Sequence, residues 1–96
     1  MNFVINRYRV PIGQSTIVVP FASRGLNVIA SGENVYLNVL SDLDEPNEEK
    51  WQLVCVRNAT TFTAGSSADL YYLGSTVKED LLGQEEVVNV FRMIPD

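Results

Sequence analysis

Residues 26–40, LNVIASGENVYLNVL, decide the fold of this chain. Two apolar stretches, 26–30 and 35–40, flank the turn-forming Ser31-Gly32-Glu33-Asn34, which is the signature of a β-hairpin. In the second arm Val35, Leu37 and Val39 fall on one face, opposite Tyr36, Asn38 and Leu40. A period of two is a strand period, so the first set is predicted to face a core.

Similar segments recur on both sides. Residues 3–10 place Val4, Tyr8 and Val10 on one face and Phe3 and Ile5 on the other, with Arg7 and Arg9 continuing the second. That pattern predicts a strand covered at its start and exposed toward Pro11. Residues 14–19 end in Ile17-Val18-Val19 before Pro20, and 51–57 alternate Trp51, Leu53 and Cys55 with Gln52, Val54 and Val56. Both faces of 51–57 are apolar, which predicts an interior strand. Residues 70–77 and 86–94 add two more strands, the latter with Val88, Val90 and Ile94 opposed to Val87, Phe91 and Met93. The linking residues 78–83 allow either a helical turn or a plain hairpin loop.

About seven short strands without an amphipathic helix predict an all-β domain over 1–96, either a small two-sheet sandwich or a partly open barrel. Ninety-six residues with 46% apolar content suit one domain, burying somewhat more than about 60% of its unfolded surface. Residues 41–50 contain Pro46 and five carboxylates, Asp42, Asp44, Glu45, Glu48 and Glu49. They are expected to form a mobile, solvated connection. Residues 58–69 are expected to loop across one end of a sheet, anchored by Phe62.

Composition narrows function. With seven basic and twelve acidic residues the net charge is −5, which repels a phosphate backbone and argues against general nucleic-acid binding. No apolar run approaches the roughly 20 residues that span a bilayer. The opening MNFVINRYRV lacks the pattern of an export signal, so a cytoplasmic location is expected, with no membrane association. Cys55 is the sole cysteine and sits among Leu53, Val54 and Val56. It is expected to be an inert apolar side chain.

Chemistry has few candidates. The chain has no histidine, so a hydrolase would need lysine or paired carboxylates. Ser75 and Lys78 stand three apart, but a strand-to-loop setting is not the helical Ser-x-x-Lys arrangement. Asp42-Leu43-Asp44 begins like a calcium loop, yet Pro46 follows and the required glycine is missing. Asn58-Ala59-Thr60 fits a glycosylation acceptor, which matters only after export. Residues 64–68 lack the lysine of a phosphate loop and read as a flexible connection. No catalytic residue, metal or cofactor is expected.

Binding has more. Arg7, Arg9, Arg24 and Arg57 would form a cationic pocket if the first and central strands were neighbours, with Tyr8 or Tyr36 stacking a base. Guanidinium forks suit phosphate and carboxylate. The carboxylates of 42–49 are the candidate contact for a host protein, through electrostatic steering. Open strand edges also permit self-association into a homo-oligomer.

Ile17-Val18-Val19-Pro20, the hairpin before the acidic stretch, Tyr72-Leu73-Gly74-Ser75-Thr76 and Val90-Phe91 together resemble a family of small β-rich proteins encoded by tailed bacteriophages. The likeness runs roughly from Ile17 to Phe91. Leu73 stands where that family has Ile, Ser75 is an extra residue before Thr76, Arg57-Asn58-Ala59-Thr60 replaces a Gly-Thr-Gly turn, and the family's closing-strand histidine is missing. The family carries no established activity, so the resemblance implies a phage setting and a β-rich fold, not a reaction. The leading expectation is a non-enzymatic accessory protein in the host cytoplasm that binds a host protein or a small anionic, nucleotide-like signal, in the manner of a counter-defence factor. The alternative is a minor structural or decoration component of the virion.

Overall fold

The structure, a computed structural model, describes residues 1–63 and 69–94. Seven strands form: β1 (Phe3–Arg9), β2 (Gly13–Pro20), β3 (Arg24–Ser31), β4 (Asn34–Asp42), β5 (Glu48–Arg57), β6 (Asp69–Glu79) and β7 (Glu85–Ile94). They pair antiparallel in two sheets, β1-β4-β3 and β2-β5-β7-β6. No barrel closes among the described residues, so the architecture is a small β-sandwich. The β3–β4 hairpin is the one that 26–40 predicts, in register Ala30↔Val35 and Val28↔Leu37.

The core lies between the sheets. Val35, Leu37 and Val39 of β4 are buried against Trp51, Leu53 and Cys55 of β5 and Val88 and Val90 of β7. Apolar side chains alternating at a two-residue period reach it from both inner faces, as aligned sheet packing requires. As expected, β5 is interior and apolar on both sides. Its outward Val54 and Val56 join Met93 in a second cluster, roofed by Phe62 and Phe91. The two rings stand 6.0 Å apart, so Phe62 anchors its loop on the outer face of the four-stranded sheet. At the inner margin Arg92 lies over the Trp51 ring at 4.5 Å, while Trp51 Nε1 donates to Glu49 Oε1 at 2.8 Å.

Two glycines set the seam between the sheets, where β3 runs beside β6. A Cβ on Gly25 would stand 2.8 Å from Leu73 Cδ2, and one on Gly74 would stand 3.0 Å from Val28 Cγ2. Gly74 also carries a positive φ of 153° at a register shift in the β6–β7 pairing. The bulge lets the edge of one sheet press against the other.

Two expectations are corrected. The exposure of β1 runs the opposite way: Phe3 and Ile5 are 58% and 59% exposed, whereas Val10 is 2% exposed. The chain leaves β1 by crossing from one sheet to the other, with Val10 N bonded to Val35 O at 2.8 Å, so its end and not its start enters the core. Half of the acidic stretch is built into strands, since β4 runs to Asp42 and β5 begins at Glu48. Its turn is laced by its own carboxylates: Asp42 Oδ1 accepts from Asp44 N, Glu45 Oε1 from Asn47 N, and Asp44 Oδ2 from Asn2 N. Of the two alternatives for residues 78–83 the chain takes the hairpin loop, where Asp80 Oδ1 accepts from Leu82 N and Gln84 N, both at 2.9 Å. The reading of 64–68 as a flexible connection lies outside the described residues.

Candidate functional site

One end of the sandwich gathers the end of β1, the β3–β4 turn, the end of β5 and the β6–β7 hairpin around a cavity of about 440 Å³. The register creates its charge. Lys78 is paired across the hairpin with Glu86, and β5 lies on the other side of β7, bringing Arg57 alongside. Lys78 Nζ sits 2.8 Å from Glu86 Oε1, and Arg57 Nε donates to Glu86 Oε2 at 2.8 Å. Glu86 Oε1 receives no aligned hydrogen bond, so the contact with Lys78 is ionic.

Lys78 is the unusual member. Its side chain is only 7% exposed, and a buried ammonium needs a counter-charge and hydrogen-bond acceptors to offset lost hydration. Glu86 supplies the charge and the Glu79 carbonyl accepts from Nζ at 3.0 Å. In return the Lys78 ammonium, with the Arg57 guanidinium, holds the Glu86 carboxyl below its ordinary range. One carboxylate therefore serves two cations.

Arg9 enters the same cavity from the end of β1, its Nε donating to Asn34 Oδ1 at 3.2 Å. Glu33 and Asp80 also line it, but Asp80 Oδ1 is engaged by two backbone N–H groups. Each arginine is fixed through Nε, and its terminal amino groups have no side-chain or backbone acceptor among the described residues. Leu81 and Leu82, 87% and 84% exposed, form an apolar flank. The lining carries three cations and three carboxylates, and Lys78 is already engaged by Glu86, so what the arrangement offers an anion is the terminal amino groups of Arg9 and Arg57 beside a greasy wall.

The arginines expected to converge are divided. Arg9 and Arg57 share the cavity, although β1 neighbours β4 and not the central β5. Arg7, Arg24 and Tyr36 lie on the outer face of the three-stranded sheet, where the Arg7 guanidinium sits 4.9 Å over the Tyr36 ring. Tyr8 points the other way and packs against the core, so it stacks no ligand. Of the acidic set, Glu49 accepts from the Trp51 indole, Asp42, Asp44 and Glu45 accept backbone N–H groups, and Glu48 is exposed at the start of β5.

Lys78 and Glu86 are the functional pair that residue patterns missed. The signal was present: Thr76 and Lys78 share a phase on β6, so the lysine lands on an inward face directly before a hairpin whose other arm opens with carboxylates. Ser75 falls on the opposite phase, and its Oγ donates to Asn89 Oδ1 at 2.6 Å, which removes any Ser75–Lys78 dyad. Cys55 is buried, and burial pushes its thiol pKa up. Among the described residues no group of three or more His, Cys, Asp or Glu side chains is placed to hold a metal ion. No protein-family model, curated protein or solved structure matches this chain.

Proposed function

We propose that this chain is a non-enzymatic accessory protein of a bacteriophage that works in the host cytoplasm by capturing a small anionic, nucleotide-like signal in the cleft between its two hairpins. The observation that carries this reading is the pair Arg9 and Arg57, each anchored at Nε and lining one cavity with buried Lys78. Anchoring lowers the entropy lost when a guanidinium engages phosphate or carboxylate, which favours small-anion capture. The Leu81–Leu82 flank suits the less polar part of such a ligand, and no aromatic side chain lines the cavity to stack it. The phage setting rests on the resemblance of the 17–91 segments. A counter-defence role follows from sequestering a signal rather than converting it.

Calorimetric titration with inorganic phosphate and with nucleoside mono- and diphosphates tests the reading. Losing a charged hydrogen-bond partner costs about 1.5–3 kcal/mol, so Arg9→Ala and Arg57→Ala should each weaken binding by roughly 10- to 100-fold. An absence of heat with every one of these ligands would remove the proposal. The acidic turn is a weaker host-protein contact, because most of its carboxylates already bond within the chain. A role as a minor virion component is favoured by the exposed Phe3 and Ile5. Mass spectrometry of purified particles separates the two, since an accessory protein should be missing from them.

A further inference from the structure

We infer that the outer face of the three-stranded sheet closes on the same face of a second copy of this chain, forming a two-fold dimer. Outward positions are fixed by register. Phe3 pairs with Asp42, Ile5 and Arg24 both pair with Leu40, and Arg7 and Asn27 both pair with Asn38. Successive outward rows along the sheet are therefore Phe3–Asp42, then Ile5–Leu40–Arg24, then Arg7–Asn38–Asn27, then Arg9–Tyr36–Ile29. Asp44 lies beyond the first row, bonded to Asn2 N at 3.2 Å. One end is acidic, the middle is apolar, and the other end is cationic.

Such a face is complementary to itself. Two sheets packed face to face through a two-fold axis that runs across the strands keep β1 over β1 and reverse the strand direction. With the axis midway between the Phe3–Asp42 and Ile5–Leu40–Arg24 rows, each row meets the one equally far on the other side. Phe3 of one copy then covers Ile5 of the other, Arg24 comes beside Asp42, and Arg7 comes opposite Asp44. The apolar pair is worth covering, because Phe3 and Ile5 are 58% and 59% exposed on a chain of net charge −5. A second copy fits better than a nucleic acid or an acidic partner, since the face carries both signs at the spacing its own symmetry demands.

With the axis there, the overlap along the strands runs only from Asp44 to Arg7, so three strands about 4.8 Å apart and about six residues of about 3.3 Å each give a face of roughly 14 by 20 Å. That is small beside the roughly 800 Å² per partner of a standard interface. The dimer is accordingly weak and concentration-dependent, and at high micromolar concentration the solution mass should rise toward twice the 10.7 kDa of one chain.

Sedimentation equilibrium on the full chain, with Arg7→Glu and Asp44→Arg variants, tests this inference. Each substitution juxtaposes like charges twice in its own homodimer, so each variant alone should remain monomeric. Mixed in equal amounts they should dimerise again, because one pair is then the native Arg7–Asp44 and the other its charge reversal, and both attract. Unchanged Trp51 emission in both variants establishes that the fold is retained, and Ile5→Lys provides a further monomeric variant that alters neither charged end. A wild-type chain that stays monomeric to millimolar concentration, or variants that dimerise alone, or a mixture that does not pair, would overturn the inference.

Discussion

Replacing Gly74 by alanine tests the seam that makes this a sandwich. The new Cβ would stand 3.0 Å from Val28 Cγ2, 3.2 Å from its Cβ and 3.3 Å from its backbone nitrogen, on a residue whose φ is +153°. Two costs combine. A side chain held in a glycine region of φ costs about 1–3 kcal/mol, and an overpacked contact costs about 1–3 kcal/mol more. The sum, about 2–6 kcal/mol, is a large part of the roughly 5–14 kcal/mol that holds a domain of this size. It corresponds to a fall in Tm of at least about 10 °C. Urea denaturation followed by the emission of Trp51, 2% exposed and the only tryptophan, reads it directly. Gly32→Ala is the control: its φ is +58° but nothing lies within 4 Å of the new methyl, so only the backbone cost of about 1 kcal/mol applies. Val28→Ala in the Gly74→Ala background should recover part of the loss, a coupling that a double-mutant cycle isolates. If Gly74→Ala costs no more than Gly32→Ala, β3 and β6 do not meet as described.

Other outcomes follow from the core and the charged end. Leu37, fully buried between the sheets, should lose about 2–5 kcal/mol on replacement by alanine, measured in the same titration. Cys55 is buried and its thiol is pushed up chiefly by desolvation, so a thiol reagent at neutral pH should label it only as the protein unfolds. Labelling at the rate of a free peptide thiol would place it at the surface. Glu86 titrates lower in the folded chain than in the unfolded one, because Lys78 and then Arg57 favour its ionised form. Its contribution is therefore full above the ordinary glutamate value of about 4.3 and is lost as the pH falls through the lower, folded value. The stability gap between wild type and Glu86→Gln should accordingly hold from pH 7 to about 5 and begin to narrow only below about 4.3; a gap independent of pH would dissociate Glu86 from its cations.

Much of the fold was legible because strand faces are a local property. Alternation in 35–40 assigns Val35, Leu37 and Val39 to the core, and apolar residues on both phases of 51–57 place that strand inside a sheet. Neighbours are not local. Whether β1 lies beside β4 or β5 depends on contacts over about 30 or more residues of chain, and that choice decides which arginines meet. It placed Arg9 near Arg57 across the end of the sandwich, not across a sheet, and left Arg7 and Arg24 on the outer face. The Lys78–Glu86 pair was hidden for a related reason: a lysine beside carboxylates reads as a solvated turn until the hairpin register sets it facing inward. The acidic turn misled in the opposite sense, since carboxylates that suggest a mobile loop also accept backbone N–H groups and fix one.

The central claim is that the cleft between the hairpins is an anion site, and the most direct measurement is a phosphate and nucleotide titration of the isotope-labelled chain followed by NMR. Saturable shifts confined to Arg9, Asn34, Arg57, Lys78, Glu86 and their neighbours, lost in Arg57→Ala, are the predicted result. Spectra that do not change, or that change first on the outer face around Arg7 and Tyr36, would contradict it.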